Sequence, residues 1–330
     1  MHSLWRPGAV LRALAILSCA GLSSAYAEDC TLKQLASLDL IDAQGNTVMV
    51  PANIDGTKEF MVVQTATIMS GIFSSTGSKL GLAPSGPMVA HAPLFDLAGH
   101  QRTTLVHIPQ FGLGGMVGNN LTFLWMPPPR DLQAVAAGFL GQDILRKYDL
   151  DFDFAGKKLK LFSPDHCEGR VVYWTTAYDE IPAVVRDGGH LEVTVTLDGK
   201  PLRAVIDTGV PTTMISMSVA DARFGISKDS PGIHRIPDAQ RDYPVQLRYR
   251  FKTLSFGSVQ APNPLVDLFP DIARDRMALE ANPVLREGID IPPVFIGMDV
   301  LRKLHLCIAY REQKIYVSAA NAGASNGGEP

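Results

Sequence analysis

Two segments 143 residues apart repeat one pattern with the polar residue changed, and this repeat narrows the choice of fold more than any other feature. One reads Arg203-Ala204-Val205-Ile206-Asp207-Thr208-Gly209, the other Phe60-Met61-Val62-Val63-Gln64-Thr65-Ala66. In both, a Gly stands eight residues before the polar position (Gly56, Gly199) and an Ile eight residues after it (Ile72, Ile215). A second matched pair follows in the same order. Residues 139–162 and 295–318 align without gaps and are identical at 8 of 24 positions, including Phe139/Phe295, Gly141/Gly297, Asp143/Asp299 and Arg146/Arg302. A repeat of this length implies two related lobes rather than one irregular domain.

The local pattern is strands and turns. Asp55-Gly56 and Asp198-Gly199 are hairpin turns ahead of the two polar positions. Leu191 to Leu197 alternates as a half-buried strand, and Val171-Val172-Tyr173-Trp174 reads as another between the lobes. Helical signals are short: 141–148, 297–304 and 218–224. Asp143 and Asp299 open two of them, a placement that suggests helix capping rather than catalysis. Pro127-Pro128-Pro129 marks a rigid extended connection.

These residues carry a family resemblance. An apolar strand ending in Asp-Thr-Gly, followed by a short strand and helix, resembles the retropepsin-like aspartic proteases. Phe139-Leu140-Gly141-Gln142-Asp143 and Phe295-Ile296-Gly297-Met298-Asp299 are similar to that family's second signature. The arrangement looks most like exported bacterial proteins with two such lobes in one chain. The resemblance implies a mainly β, bilobal pepsin/retropepsin-like acid protease fold. Lobe one spans 28–168 and lobe two 169–318, with a disordered tail at 319–330.

The resemblance also implies a mechanism. Two carboxylates meet across the lobe interface and share a proton, because both cannot ionise at contact distance; the aspartic proteases are a standard example of this splitting. Asp207 occupies one of these positions and Gln64 the other. Gln cannot give up a proton, although its NH2 can donate to a carbonyl oxygen. With no like charge beside it, Asp207 is expected to be ionised at neutral pH unless burial opposes it. Thr65 and Thr208 are both present, and in the family such threonines cross-link the two loops. Ala66 stands where Gly209 would allow a positive φ or a close backbone approach. Gly112-Leu113-Gly114-Gly115 resembles the glycine-rich flap that covers a bound peptide; the plainer reading is a surface hairpin.

The ends and cysteines set the compartment. Arg6 and Arg12, the apolar run Ala13 to Leu22 and Ala25-Tyr26-Ala27 form a signal peptide cut after Ala27. Cleavage shifts the formal net charge from −3 to −5. Cys19 stands in a faint lipoprotein-like context. The reading is therefore periplasmic or secreted, with no transmembrane anchor. In an oxidising compartment Cys30 and Cys167, at the two ends of lobe one, are a natural disulfide, with Cys307 a buried core residue.

Ordinary composition and the lack of a basic cluster argue against nucleic acid. His91, His100 and His107 lack metal-ligand spacing, so neither metal nor cofactor is expected. Gly323-Ala324-Ser325-Asn326-Gly327 matches a nucleophile-elbow pattern but has no strand before it.

The expected activity is an aspartic-type endopeptidase acting on peptide or protein substrates as a monomer. The alternative is a catalytically silent peptide binder on the same fold. An active homodimer pairing two Asp207 lobes ranks below both, because the Gln64 lobe is tethered at high effective concentration.

Overall fold

The computed structural model describes residues 30–43, 46–87, 94–95, 101–102, 104–129, 132, 135–186, 190–236, 245–271 and 291–322. Residues 1–27, which the sequence reads as a signal peptide, His91, His100 and the 323–327 motif lie outside the described residues. Strands dominate, in a bilobal β architecture.

The first lobe is an eight-stranded sheet closed on itself. Val48–Ile54 and Thr57–Val63 form a hairpin, and Val48–Ile54 also pairs with Thr104–Leu113 to complete the closure. Its turn is Asp55-Gly56, both residues at positive φ (49° and 83°), and Asp198-Gly199 does the same at 44° and 76°. That geometry matches the right-handed twist of a two-residue hairpin, which is why Gly follows Asp in both places. Val50, Ile54, Met61, Val63, Ile108 and Phe123 fill the interior.

The two lobes repeat one strand order around their polar positions. Thr57–Val63 runs parallel to Gly138–Leu140, and Lys200–Ile206 runs parallel to Val294–Ile296. Each of these short strands pairs antiparallel with the strand after the polar loop, Gly71–Phe73 or Met214–Ser216. Those in turn pair parallel with Met116–Met126 and Leu265–Phe269.

A run of six antiparallel strands, one end of a 15-stranded sheet, joins the lobes. Its order is Gln34–Asp39, Lys158–Phe162, Asp149–Asp153, Leu304–Ala309, Lys314–Ala319 and Asp179–Val185. The junction is Leu150 opposite Ile308 and Phe152 opposite Leu306, all four buried. Cys30 and Cys167 are disulfide-bonded with their Cα atoms 4.7 Å apart, and Cys307 is free and buried.

Several local expectations need correction. Val171 to Trp174 is not a strand. Its side chains cover the inter-lobe sheet instead: Trp174 stacks on His305 at 3.9 Å, and Val171 packs with Cys307 and Tyr316. The helices of the second signatures are one turn each, Gln142–Leu145 and Met298–Leu301, because the chain re-enters a strand within a few residues. The last strand runs through Ala319, and Ala320 N–H donates to the Lys303 carbonyl at 2.9 Å.

Candidate active site

The two polar loops sit at equivalent strand ends. Gln64 N–H donates to Leu140 O and Asp207 N–H to Ile296 O, each at 3.0 Å, so each second-signature strand fixes the start of its loop. Behind the loops, the lobes build the same brace. Ser70 N–H and Oγ donate to Asp143 Oδ1 at 2.8 and 2.7 Å, and Gly141 N–H donates to Ser70 Oγ at 2.9 Å. Thr213, Asp299 and Gly297 repeat this at 2.7, 2.9 and 3.1 Å. Asp143 and Asp299 therefore do not cap their own helices, which lack a side-chain cap. They hold the returning loop. Gly is required at 141 and 297 because a Cβ there would sit 2.7 Å from Met69 C and 2.5 Å from Thr212 C.

Thr65 and Thr208 cross-link the loops. Thr65 Oγ1 donates to Ile206 O at 2.6 Å and accepts from Thr208 N–H at 3.1 Å. Thr208 Oγ1 donates to Val63 O at 2.6 Å and accepts from Thr65 N–H at 3.3 Å. Both threonines are buried. Thr65→Val keeps the shape and removes the hydroxyl, leaving Ile206 O and Thr208 N–H without these partners. The expected cost is about 2–4 kcal/mol, read as a lower unfolding temperature; an unchanged temperature would show that the cross-link contributes nothing.

Gln64 and Asp207 meet beside Gly209. A Cβ on Gly209 would lie 2.6 Å from Gln64 Cγ and 3.1 Å from Asp207 Oδ1, so both side chains press on one face of that residue. This close approach is the reason for Gly at 209; neither Gly209 nor Ala66 adopts a positive φ. Ala66 packs against the apolar cluster of Val210, Met214 and Phe295 in the second lobe. Asp207 is buried, and its Oδ1 accepts from Gly209 N–H at 2.8 Å. Burial pushes its pKa up to about 6, and the Gly209 N–H offsets only part of that rise. Burial thus does oppose ionisation, yet at pH 7 the carboxylate still prevails.

Two residues of the site escaped the sequence reading. Thr67 Oγ1 donates to Gln64 Oε1 at 2.8 Å. Gln142, buried under the loop, donates through Nε2 to Thr65 O and, at 3.0 Å, to the Tyr310 hydroxyl. The available signal was the mismatch between the copies: these positions carry Val210 and Met298 in the second lobe.

The glycine-rich hairpin is not a flap over this site. Gly112 pairs with Asn53 at the far end of the first-lobe hairpin, where Asn53 also faces Lys58. From Lys58 to Gln64 the strand spans about 20 Å. A Cβ on Gly114 would sit 2.5 Å from Ala36 Cβ, so the Gly114-Gly115 turn packs on the inter-lobe sheet, and Gly115 extends that turn at φ 89°. The motif predicted a turn correctly but not its place on the barrel. Among the described residues, no His, Cys, Asp or Glu group is arranged to hold a metal ion, and no helix is long and apolar enough to cross a membrane.

No curated protein matches the chain. Among solved structures, the crystal structure of basic 7S globulin from soybean aligns with a TM-score of 0.49 and 8% identity, over 90% of this chain and 97% of that one. Residues 193–300, the part of the second lobe that carries Asp207-Thr208-Gly209 and Phe295-Ile296-Gly297, match the aspartyl protease family.

Proposed function

We propose that this chain is an exported aspartic-type endopeptidase that works with one carboxylate, Asp207, opposite a neutral amide, Gln64. The observation that carries the reading is the buried Asp207 held against Gln64 by the paired threonine loops. The aspartyl protease match over the second lobe supports peptide substrates. In this mechanism the Asp207 carboxylate removes a proton from water as its oxygen adds to the peptide carbonyl carbon. Gln64 Nε2 donates a hydrogen bond to the oxygen that gains charge. The same proton then passes from Asp207 to the amine nitrogen as the C–N bond breaks. The base form exists above about pH 6, so turnover rises with pH through that value.

Gln64 also motivates a second reading, in which the cleft holds peptides without cleaving them. An amide and one carboxylate complement a peptide group whether or not hydrolysis follows. In either case the protein acts as a single chain outside the cytoplasm, with lobes at 28–168 and 169–318.

The mature protein, exported from the full-length chain and checked by intact mass for cleavage after Ala27, should be incubated with a mixed peptide library from pH 4 to 8. Cleavage that increases through pH 6 and vanishes in Asp207→Asn is the expected result. Retention of peptides with no cleavage at any pH would replace the peptidase with the binder.

A further inference from the structure

We propose that the contact between His166 and Asp149 is a proton-operated latch: holding one proton, it fastens the segment between the lobes, residues 164–174, onto the inter-lobe sheet, and losing that proton releases it. His166 Nε2 lies 2.5 Å from Asp149 Oδ2, and Nδ1 lies 3.0 Å from Cys167 O and 3.6 Å from Glu312 Oε1. The side chains of His166 and Asp149 are each 1% exposed. A neutral imidazole has one N–H and one lone pair, whereas both ring nitrogens here face acceptors. Both contacts are satisfied by the imidazolium, or equally by a proton on Asp149 Oδ2 facing a neutral ring. Either way the pair holds one proton. Without it, one ring nitrogen turns a lone pair on a carbonyl or a carboxylate oxygen.

This one ring ties three pieces of chain. Asp149 opens the lobe-one strand Asp149–Asp153, and Glu312 lies in the turn between Leu304–Ala309 and Lys314–Ala319 of lobe two. His166 belongs to the connection between them, next to the disulfide at Cys167. Glu312 holds the same connection a second time, since its Oε1 accepts from Gly169 N–H at 3.1 Å; its Oε2 accepts from the Tyr316 hydroxyl.

The other charges nearby are engaged elsewhere. Asp151, next on the same face of its strand, meets His305 at 2.6 Å, the Tyr173 hydroxyl, and Lys160 at 3.8 Å. Arg311 pairs with Asp165, and Lys314 with Glu168 and Glu180. Burial raises the pKa of Cys307, Tyr310 and Tyr316, so all three stay neutral. Among the described residues, His166 alone pairs with Asp149 and Glu312. Burial by itself would lower the His166 pKa, but the bonds to Asp149 and Cys167 O and the two carboxylates outweigh it and lift the value above the ordinary 6.5. Burial likewise raises Asp149. The fold therefore binds this proton more tightly than the unfolded chain. The stabilisation is complete below about pH 6.5 and is lost as pH rises through the higher folded value. The latch opens toward alkaline pH.

Cys307 reports its state, because this free thiol is fully buried and packs against Val171 and Trp174 of the latched segment. The test follows its alkylation by iodoacetamide from pH 6 to 9 in the oxidised mature protein carrying Asp207→Asn, which removes the Asp207 titration. Protection is the rate in the urea-unfolded chain divided by the native rate at the same pH. It should fall about tenfold in one step above pH 6.5, while hydrogen exchange in Val48–Ile54 stays unchanged. His166→Gln, which cannot take up the proton, should show low protection and no step. Glu312→Gln keeps an acceptor for Gly169 N–H and removes one carboxylate, so the step should move down by about 0.5–1 pH unit. Protection without a step, a step that survives in His166→Gln, or one shared by Val48–Ile54 overturns the proposal. If His166→Gln does not fold, Glu312→Gln still decides: an unmoved or raised step rejects the latch.

Discussion

Asp207→Asn is expected to stabilise the protein at neutral pH while abolishing hydrolysis. The carboxyl ordinarily titrates at 3.8 and in the fold at about 6, so the folded state binds this proton more tightly than the unfolded chain. Its contribution is then most favourable below about pH 4 and is lost as pH rises through about 6. By pH 7 the loss amounts to about 3 kcal/mol. Asn removes the buried charge, and its side-chain oxygen can still accept from Gly209 N–H, as Asp207 Oδ1 does at 2.8 Å. Thermal unfolding at pH 8 should rise by about 5 °C in the variant, whereas at pH 4 the two proteins should coincide. Lower stability of the variant at pH 8 would mean that the charge is compensated and that the site stores no such strain.

The second large effect is expected from Gln64→Asp combined with Ala66→Gly. The new carboxylate would stand where the Gln64 side chain presses on Gly209, beside Asp207 Oδ1. Two carboxyls that close cannot both ionise, so one proton would be shared and the pair would titrate as a unit. One member can then act as base while the other donates to the substrate carbonyl. Peptide cleavage should rise about 100-fold and its optimum should move below pH 6. The Ala66 change opens space against Val210, Met214 and Phe295, so the single Gln64→Asp variant serves as a control for packing. A folded double variant with no acid-stimulated cleavage would mean that the cleft has been remodelled beyond its lost acid.

Much of the fold was legible in the sequence because it rests on short-range rules applied twice. Asp-Gly turns, apolar strands and the repeated Phe-x-Gly-x-Asp segments each fix a local conformation, and their equal spacing carries the second lobe with the first. The spacing places Thr65 and Thr208 at the same point of their lobes, and the resemblance to the retropepsin-like proteases implied that they meet. Features set by long-range register were not legible. Gly112 to Gly115 announces a tight turn, but only pairing with Asn53 and contact with Ala36 place it away from the loops. Val171 to Trp174 has strand-forming side chains that are used instead to cover a sheet face. The depth of Asp207 in the protein, which sets its ionisation, is a property of both lobes together.

The junction of Leu150 with Ile308 has a genetic consequence. When two identical subunits build a cleft on a symmetry axis, every substitution appears on both walls. An amide could not replace one acid without replacing the other. Here the halves are parts of one chain, joined through paired strands, and each wall answers to its own codons. Gln64, Thr67 and Gln142 in one half, matched in position by Asp207, Val210 and Met298 in the other, form an asymmetric set that a symmetric dimer could not encode.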